Sequence, residues 1–297
     1  LIVKHNTLIN ASYNLDTIEQ RLILLAIVQA RELGKKLDHN NKLEVHAHHY
    51  MKQFNVDKHA AYEGLKNAAS NLFERKFSYK TIHEPTGKEK IVKSRWVSKI
   101  AYVEAAGIVE LAFAPDVIPL ITQLEQSFTA YEIRQISSLT GKYAIRLYEL
   151  LIQWRSIGKT PIFHIEDFRF KLGLSPQDYP VMGNFKSRVL DAALAQINER
   201  TDIVAQYDQH KSGRVITGFS FSFVSKLNDS ATNPRKFSDK QIRLFANKLA
   251  HYYPFASEKA KAGESYTDLE KRLVIELQDN KKIREYESIL KKLGLYI

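Results

Sequence analysis

The chain has 297 residues, 44% hydrophobic and 26% charged. That is enough for two or three compact domains of roughly 100–150 residues each, and the ordinary globular balance excludes a collagen, a wholly disordered chain and a coiled-coil rod. Lys and Arg number 44 against 33 Asp and Glu, a net charge of +11 that favours polyanions, nucleic acid first and an acidic membrane surface second.

There is no cysteine, so disulfides, thiolate metal sites and a cysteine nucleophile are excluded together. The longest apolar run, Leu22–Val28, is far short of the ~20 residues of a membrane span. The chain opens on Leu1 without a signal-peptide pattern, and a trimmed start is expected. Basic residues outnumber acidic ones 17 to 14 over 1–125, 13 to 9 over 126–228 and 14 to 10 over 229–297. With no basic tail, folded surfaces must meet any polyanion.

In chain order, Asp16 and Glu19 have the spacing of a capping box ahead of a helix over Leu15–Arg31, closed by Gly34. Its unbroken apolar stretch Leu22–Val28 predicts a helix central to a core or shared with a second subunit. A strand follows at Leu43–His46, then a short helix with Tyr50 and Phe54 four apart, then a helix over Asp57–Arg75 with Ala61, Leu65, Ala68 and Leu72 on one face. Alternation at Phe77, Tyr79 and Thr81, the turn Glu84–Lys88, and apolar runs at Ile91–Tyr102 and Ile108–Phe113 read as strands.

The order then returns. After a helix at Lys142–Ile157 come a strand at Pro161–Phe163, a short helix with Phe168 and Leu172 four apart, a helix over Asn184–Asn198, a strand through Ile203 and Tyr207, the turn His210–Gly213, and alternating Phe219, Phe221 and Phe223. Tyr50, Phe54 and Val56 align with Phe168, Leu172 and Leu174, and Ala68, Ala69 and Phe73 with Ala192, Ala193 and Ile197, about an insertion near Ser175–Pro180. Strand, helix, helix, strand, turn, strand is the order of a winged helix. The expected fold is α+β: two tandem winged helices and a small helical appendage, divided as 1–126, 127–226 and 227–297. The appendage follows a polar linker at Asn228–Pro234, with helices at Ser238–His251, Thr267–Leu277 and Ile283–Leu293.

Three chemistries are weighed and set aside. His46-Ala47-His48 resembles the metal-binding strand of rolling-circle nicking enzymes, in which two histidines on one strand face share an ion; the internal alignment instead places His46 with His164 at a strand-to-helix junction. Thr140-Gly141-Lys142 and Gly158-Lys159-Thr160 lack the first glycine of a phosphate loop, and Glu166-Asp167 fits the dipole of a helix start. No catalytic residue, metal or cofactor is expected.

The stronger candidate is the helix Asn184–Asn198. With Phe185, Val189, Ala193 and Ile197 buried, its other face carries Asn184, Ser187, Arg188, Asp191 and Asn198, with Lys186 in the first turn. Arg reads guanine, Asn reads adenine, and Lys and Ser hold phosphate. Lys211 and Arg214 flank the second hairpin tip and could grip phosphate at an adjacent groove. The matching first-unit helix exposes His59, Glu63, Lys66, Ser70 and Glu74; its two glutamates make it a poorer groove reader, and it is expected to touch the DNA backbone, through Lys58 and Lys66, or another subunit.

Asn10-Ala11-Ser12-Tyr13, Glu19-Gln20-Arg21-Leu22, Ser94-Arg95-Trp96, Tyr143–Leu150, Asn184–Val189 and Gly213–Phe219 together resemble, in order, the replication initiator (Rep) proteins of iteron-bearing, theta-replicating bacterial plasmids. The tail with Phe237-Ser238-Asp239-Lys240-Gln241 is similar to RepB-type initiators of Acinetobacter-like plasmids. The resemblance implies a cytoplasmic protein of a bacterial host whose C-terminal winged helix reads direct repeats in double-stranded origin DNA and whose N-terminal one adds backbone contacts. It further implies that monomers open the origin and recruit the host initiator and replicative helicase, while homodimers repress the gene and limit copy number. Leu22, Leu25 and Ile27 would lie at the dimer interface. The alternatives are a nicking enzyme and a winged-helix repressor without initiator activity.

Overall fold

The computed structural model describes residues 1–33, 37–122, 127–226, 239–261 and 263–279, with isolated positions between 282 and 293. The helix stop expected at Gly34, the linker at 228–234 and parts of the helix expected at 283–293 lie outside the described residues. The chain forms two units, Leu1–Asn228 and Asp229–Ile297.

The first unit begins with β1 (Ile2–His5), α1 (Asn6–Ile9), β2 (Ser12–Tyr13) and α2 (Thr17–Leu33). The capping box forms reciprocally: the Glu19 N–H donates to the Asp16 carboxylate at 2.8 Å and the Asp16 N–H to that of Glu19 at 2.7 Å. Leu22, Ile23, Leu24, Ala26 and Ile27 are all buried, so the apolar stretch is the centre of a core.

Next come β3 (Leu43–His46), α3 (Ala47–Phe54), α4 (Lys58–Leu72), β4 (Lys76–His83), β5 (Lys88–Arg95), β6 (Val97–Val103), β7 (Ile108–Phe113) and α5 (Val117–Thr122). Asn55, at φ 50°, turns the chain after α3, and the Asp57 side chain caps α4. The three-stranded sheet β3-β7-β6 completes the first winged helix. Its wing is thus β6–β7. The β4–β5 hairpin, which the sequence reads as the next strand and turn of the repeat, is an addition; it pairs with β2 instead. The run read as one strand from Ile91 is broken at Trp96, whose ring is buried between Tyr13 and Phe77.

The second winged helix follows β8 (Phe128–Tyr131) and α6 (Lys142–Ile152). It comprises β9 (Phe163–His164), α7 (Ile165–Lys171), α8 (Met182–Phe185), a π-helical stretch Lys186–Asp191, α9 (Ala192–Arg200), β10 (Ile203–Ser212) and β11 (Val215–Ser225). The sheet order β9-β11-β10 repeats that of β3-β7-β6. Phe163, Phe168, Phe185, Phe219 and Phe221 form one buried aromatic cluster with centroids 5.5–6.2 Å apart. The rings seat both helices on the sheet.

Two features tie the winged helices into one core. β1 pairs with β8 in register from Ile2↔Tyr131 to His5↔Phe128. Around that ladder lies a buried polar network centred on Glu149, whose carboxylate receives Lys4 at 2.6 Å, Tyr131 at 2.6 Å, Arg146 at 2.8 Å and Tyr13 at 3.2 Å. Arg146 also donates to the carbonyls of Ile9, Ala11 and Lys171, bridging the N-terminal segment to the end of α7. Burial alone would raise the Glu149 carboxyl; the Lys4 and Arg146 charges, with the Lys4 and Tyr131 hydrogen bonds, hold it down at about 2.

The second unit contains α10 (Asp239–Ala250), α11 (Tyr253–Lys259) and α12 (Tyr266–Glu276). Ile242, Phe245, Leu249, Phe255, Leu269 and Leu273 form its core. No helix among the described residues is long and apolar enough to cross a membrane.

Candidate nucleic-acid interface

The helix running from α8 through the π-helical stretch into α9 buries Phe185, Val189, Ala193 and Ile197, the face expected from their spacing. Asn184, Ser187, Arg188 and Asp191 are exposed together and Lys186 is half-buried. The π-helical turn covers Lys186, Ser187 and Arg188 themselves; such widened turns recur at functional sites. It also brings Val189 and Leu190 both into the core. The start of this helix is braced from α7: Arg169 lies over the Phe185 ring at 5.3 Å and donates to the carbonyls of Ser175, Asp178 and Tyr179. The insertion near Ser175–Pro180 is therefore a built loop that positions the helix, a role its polar sequence does not reveal.

The face divides by chemistry. Arg188 forms no ion pair among the described residues, so its guanidinium is available for bidentate contact. Asp191 accepts from the Tyr207 hydroxyl at 2.9 Å; burial first, then this bond, pushes Tyr207 up to about 12. Asp191 thus anchors the helix to β10. Asn198, expected on the open face, pins the same strand: it donates to the Ala205 carbonyl at 2.9 Å and accepts its N–H at 2.7 Å. Sequence spacing cannot separate an amide that reads a base from one that holds a strand.

Lys211 and Arg214 lie exposed at the β10–β11 tip, on either side of Gly213 at φ 58°. In the first winged helix, Lys58 is exposed at the start of α4 and lies 5.7 Å from the Tyr62 ring. Lys66 is paired with Glu104 of the wing at 2.6 Å. Of the expected dimer residues, Leu22 and Ile27 are fully buried inside the monomer and offer no surface to a second chain in this conformation. Leu25, half-buried, lines a groove with Val28, Gln29, His46 and His49.

His46 and His164 occupy equivalent places, each ending its strand and preceding the next helix. Among the described residues, no three His, Asp or Glu side chains form a cluster able to hold a metal ion. Gly141 begins α6, where its N–H and that of Thr140 donate to the Gln196 side chain. Asp167 pairs with Lys171 at 2.7 Å.

Two winged helices on a shared core, the second presenting a polar helix face beside a basic hairpin tip, define a DNA-binding protein of the tandem winged-helix class. The family model described as initiator replication protein WH1 matches residues 1–152, and that described as initiator Rep protein WH2 matches 164–223. The chain belongs to this Rep3 family of replication initiators, DNA-binding proteins without catalysis. It is similar to two proteins of Escherichia coli. An uncharacterized 27.6 kDa protein is 29% identical over 237 residues, 76% of this chain and 95% of that one. A replication initiation protein is 25% identical over 254 residues, 84% of this chain and 77% of that one. Among solved structures, the Pi initiator protein in complex with iteron DNA matches with a TM-score of 0.60 at 22% identity, over 75% of this chain and 96% of that one. That likeness is one of fold.

Proposed function

We propose that this initiator binds direct repeats in plasmid origin DNA through the helix carrying Asn184, Lys186, Ser187 and Arg188, with Lys211 and Arg214 holding phosphate beside it. The observation that carries this reading is the exposed Asn184–Ser187–Arg188 face on a helix whose opposite side is locked into the aromatic core. The iteron complex of the structurally similar Pi protein supports it. Residues 1–126 and 127–226 act as the two DNA-contacting domains, with Lys58 and Lys66 on the backbone and residues 227–297 as an extension. The bound monomer opens adjacent DNA and recruits the host initiator and helicase in the bacterial cytoplasm, and a dimeric form represses and limits copy number. The tail is of the RepB type found on Acinetobacter-like plasmids.

The test is titration of the full chain onto duplexes carrying direct repeats of its cognate origin, at two salt concentrations. Arg188→Ala should cost about 1–3 kcal/mol on the repeat and relax its specificity. Equal, steeply salt-dependent binding of the wild-type chain to every duplex would overturn the reading.

A further inference from the structure

The β4–β5 hairpin has no counterpart in the second winged helix, and it is unusually charged. Residues 76–95 hold six basic side chains (Lys76, Lys80, Lys88, Lys90, Lys93 and Arg95) against Glu84 and Glu89, a net +4. The whole of 1–125 has only three more basic than acidic residues, so the ribbon supplies all of that region's excess. Only Phe77 of its two strands is buried. β2 pairs with it no further than Ser78, and beyond that point the two strands pair only with each other. Two-stranded ribbons of this kind are marginal by themselves; this one is rooted through Phe77 and Trp96.

Its root is fixed to the body that carries the recognition helix. Lys80 lies 3.8 Å from Asp167 and 5.8 Å from the Phe170 ring, both on α7. Lys80 and Arg95 are engaged, the latter with Glu74. Lys76, Lys88, Lys90 and Lys93 are exposed and form no ion pair among the described residues.

The register divides these four. Ser78↔Lys93 and Lys76↔Arg95 put Lys76 and Lys93 on one face, whereas Thr81↔Lys90 and His83↔Lys88 put Lys88 and Lys90 on the other. A flat acidic surface would need one charged face. Positive charge on both faces fits a concave site between two anionic walls, and a DNA groove admits a two-stranded ribbon. Lysines two residues apart on a strand lie about 7 Å apart, close to two phosphate steps along the axis of one DNA strand at about 3.4 Å each.

From this geometry we infer that the β4–β5 ribbon is a second DNA-binding element, seated in a groove of duplex DNA beside the repeat and held there by Lys88, Lys90 and Lys93 on the phosphates. The inference rests on the DNA-binding reading above. The five residues Tyr79–His83 reach about 17 Å beyond the β2 pairing, or about 5 base pairs at 3.4 Å each.

The test compares the full chain with Lys88→Gln/Lys90→Gln/Lys93→Gln, and with a charge-matched control, Arg243→Gln/Lys248→Gln/Lys271→Gln, on repeat duplexes with long flanks. The ribbon variant should keep its sequence preference, flatten the slope of log K against log salt by about 2–3 units, and lose backbone protection over about 5 base pairs outside the repeat. An unchanged slope and footprint, the result expected if the ribbon serves an acidic protein instead, overturns the inference. So does an equal flattening in the control. Arg188→Ala separates the two readings: specificity lost there while the ribbon variant behaves as wild type leaves the recognition helix standing and sinks the ribbon alone.

Discussion

Gly173 sits where the turn after α7 meets the N-terminal segment. Its φ is +71°, and a Cβ built there would lie 1.9 Å from the Tyr13 carbonyl oxygen. Both conditions demand glycine: the left-handed backbone costs an ordinary residue about 1–2 kcal/mol, and a neighbouring main-chain carbonyl cannot swing aside as a flexible side chain can. Gly173→Ala is therefore expected to lower stability by more than the conformational term, read as a fall in urea midpoint. A variant within about 0.5 kcal/mol of wild type would mean that the close approach between α7 and β2 is not maintained in solution. The contrasting residues are Tyr13 and Arg146, both in the segments that carry the family resemblance. Arg146 stacks over the Tyr13 ring at 4.0 Å and holds three carbonyls. Their place in the sequence motifs thus reflects how the two halves are joined rather than contact with a ligand.

At the scale of elements, the β10–β11 hairpin behaves as a wing because its tip is free: Lys211 and Arg214 project from it while His210 bonds Ser220 at 2.8 Å below. Neutralising Lys211 should weaken binding to all duplexes alike and flatten the salt slope by about one unit; a change confined to the repeat sequence would instead make Lys211 a base reader. The buried stripe Phe185–Val189–Ala193–Ile197 and the alternating Phe219, Phe221 and Phe223 were legible because burial imposes a period on the side chains. The π-helical turn was not, because a shift of hydrogen bonding by one residue leaves the apolar spacing nearly intact. The β4–β5 hairpin reads like the expected strand and turn because alternation states that a strand exists but not which sheet it joins. β1 and β8, four residues each, lie outside the repeated strand–helix–helix order and were not legible, although the equally short β3 was.

For the whole molecule, the network around Glu149 makes stability a function of pH at both ends. Glu149 titrates at about 2 in the fold against an ordinary 4.5. Above pH 4.5 it is ionised in both states and its stabilisation is fully present. As pH falls from 4.5 towards 2 the unfolded chain takes up the proton first, and that stabilisation is lost. At alkaline pH the tyrosines act in the opposite sense. Burial raises Tyr13, Tyr131 and Tyr148 above their ordinary 10.0, so above pH 10 the unfolded chain gives up protons that the fold retains. Three such groups would erode stability by up to about 4 kcal/mol per pH unit there. Urea unfolding measured across pH 2–11 should therefore give a plateau between about 5 and 9 with a falling limb on each side. Glu149→Gln should remove its share of the acid limb and lower the plateau by about 3–5 kcal/mol, because Lys4 and Arg146 would be left buried without their counter-charge. An acid limb unaltered in that variant would show that carboxylates elsewhere govern acid unfolding and that the join between the two winged helices does not depend on the Glu149 charge.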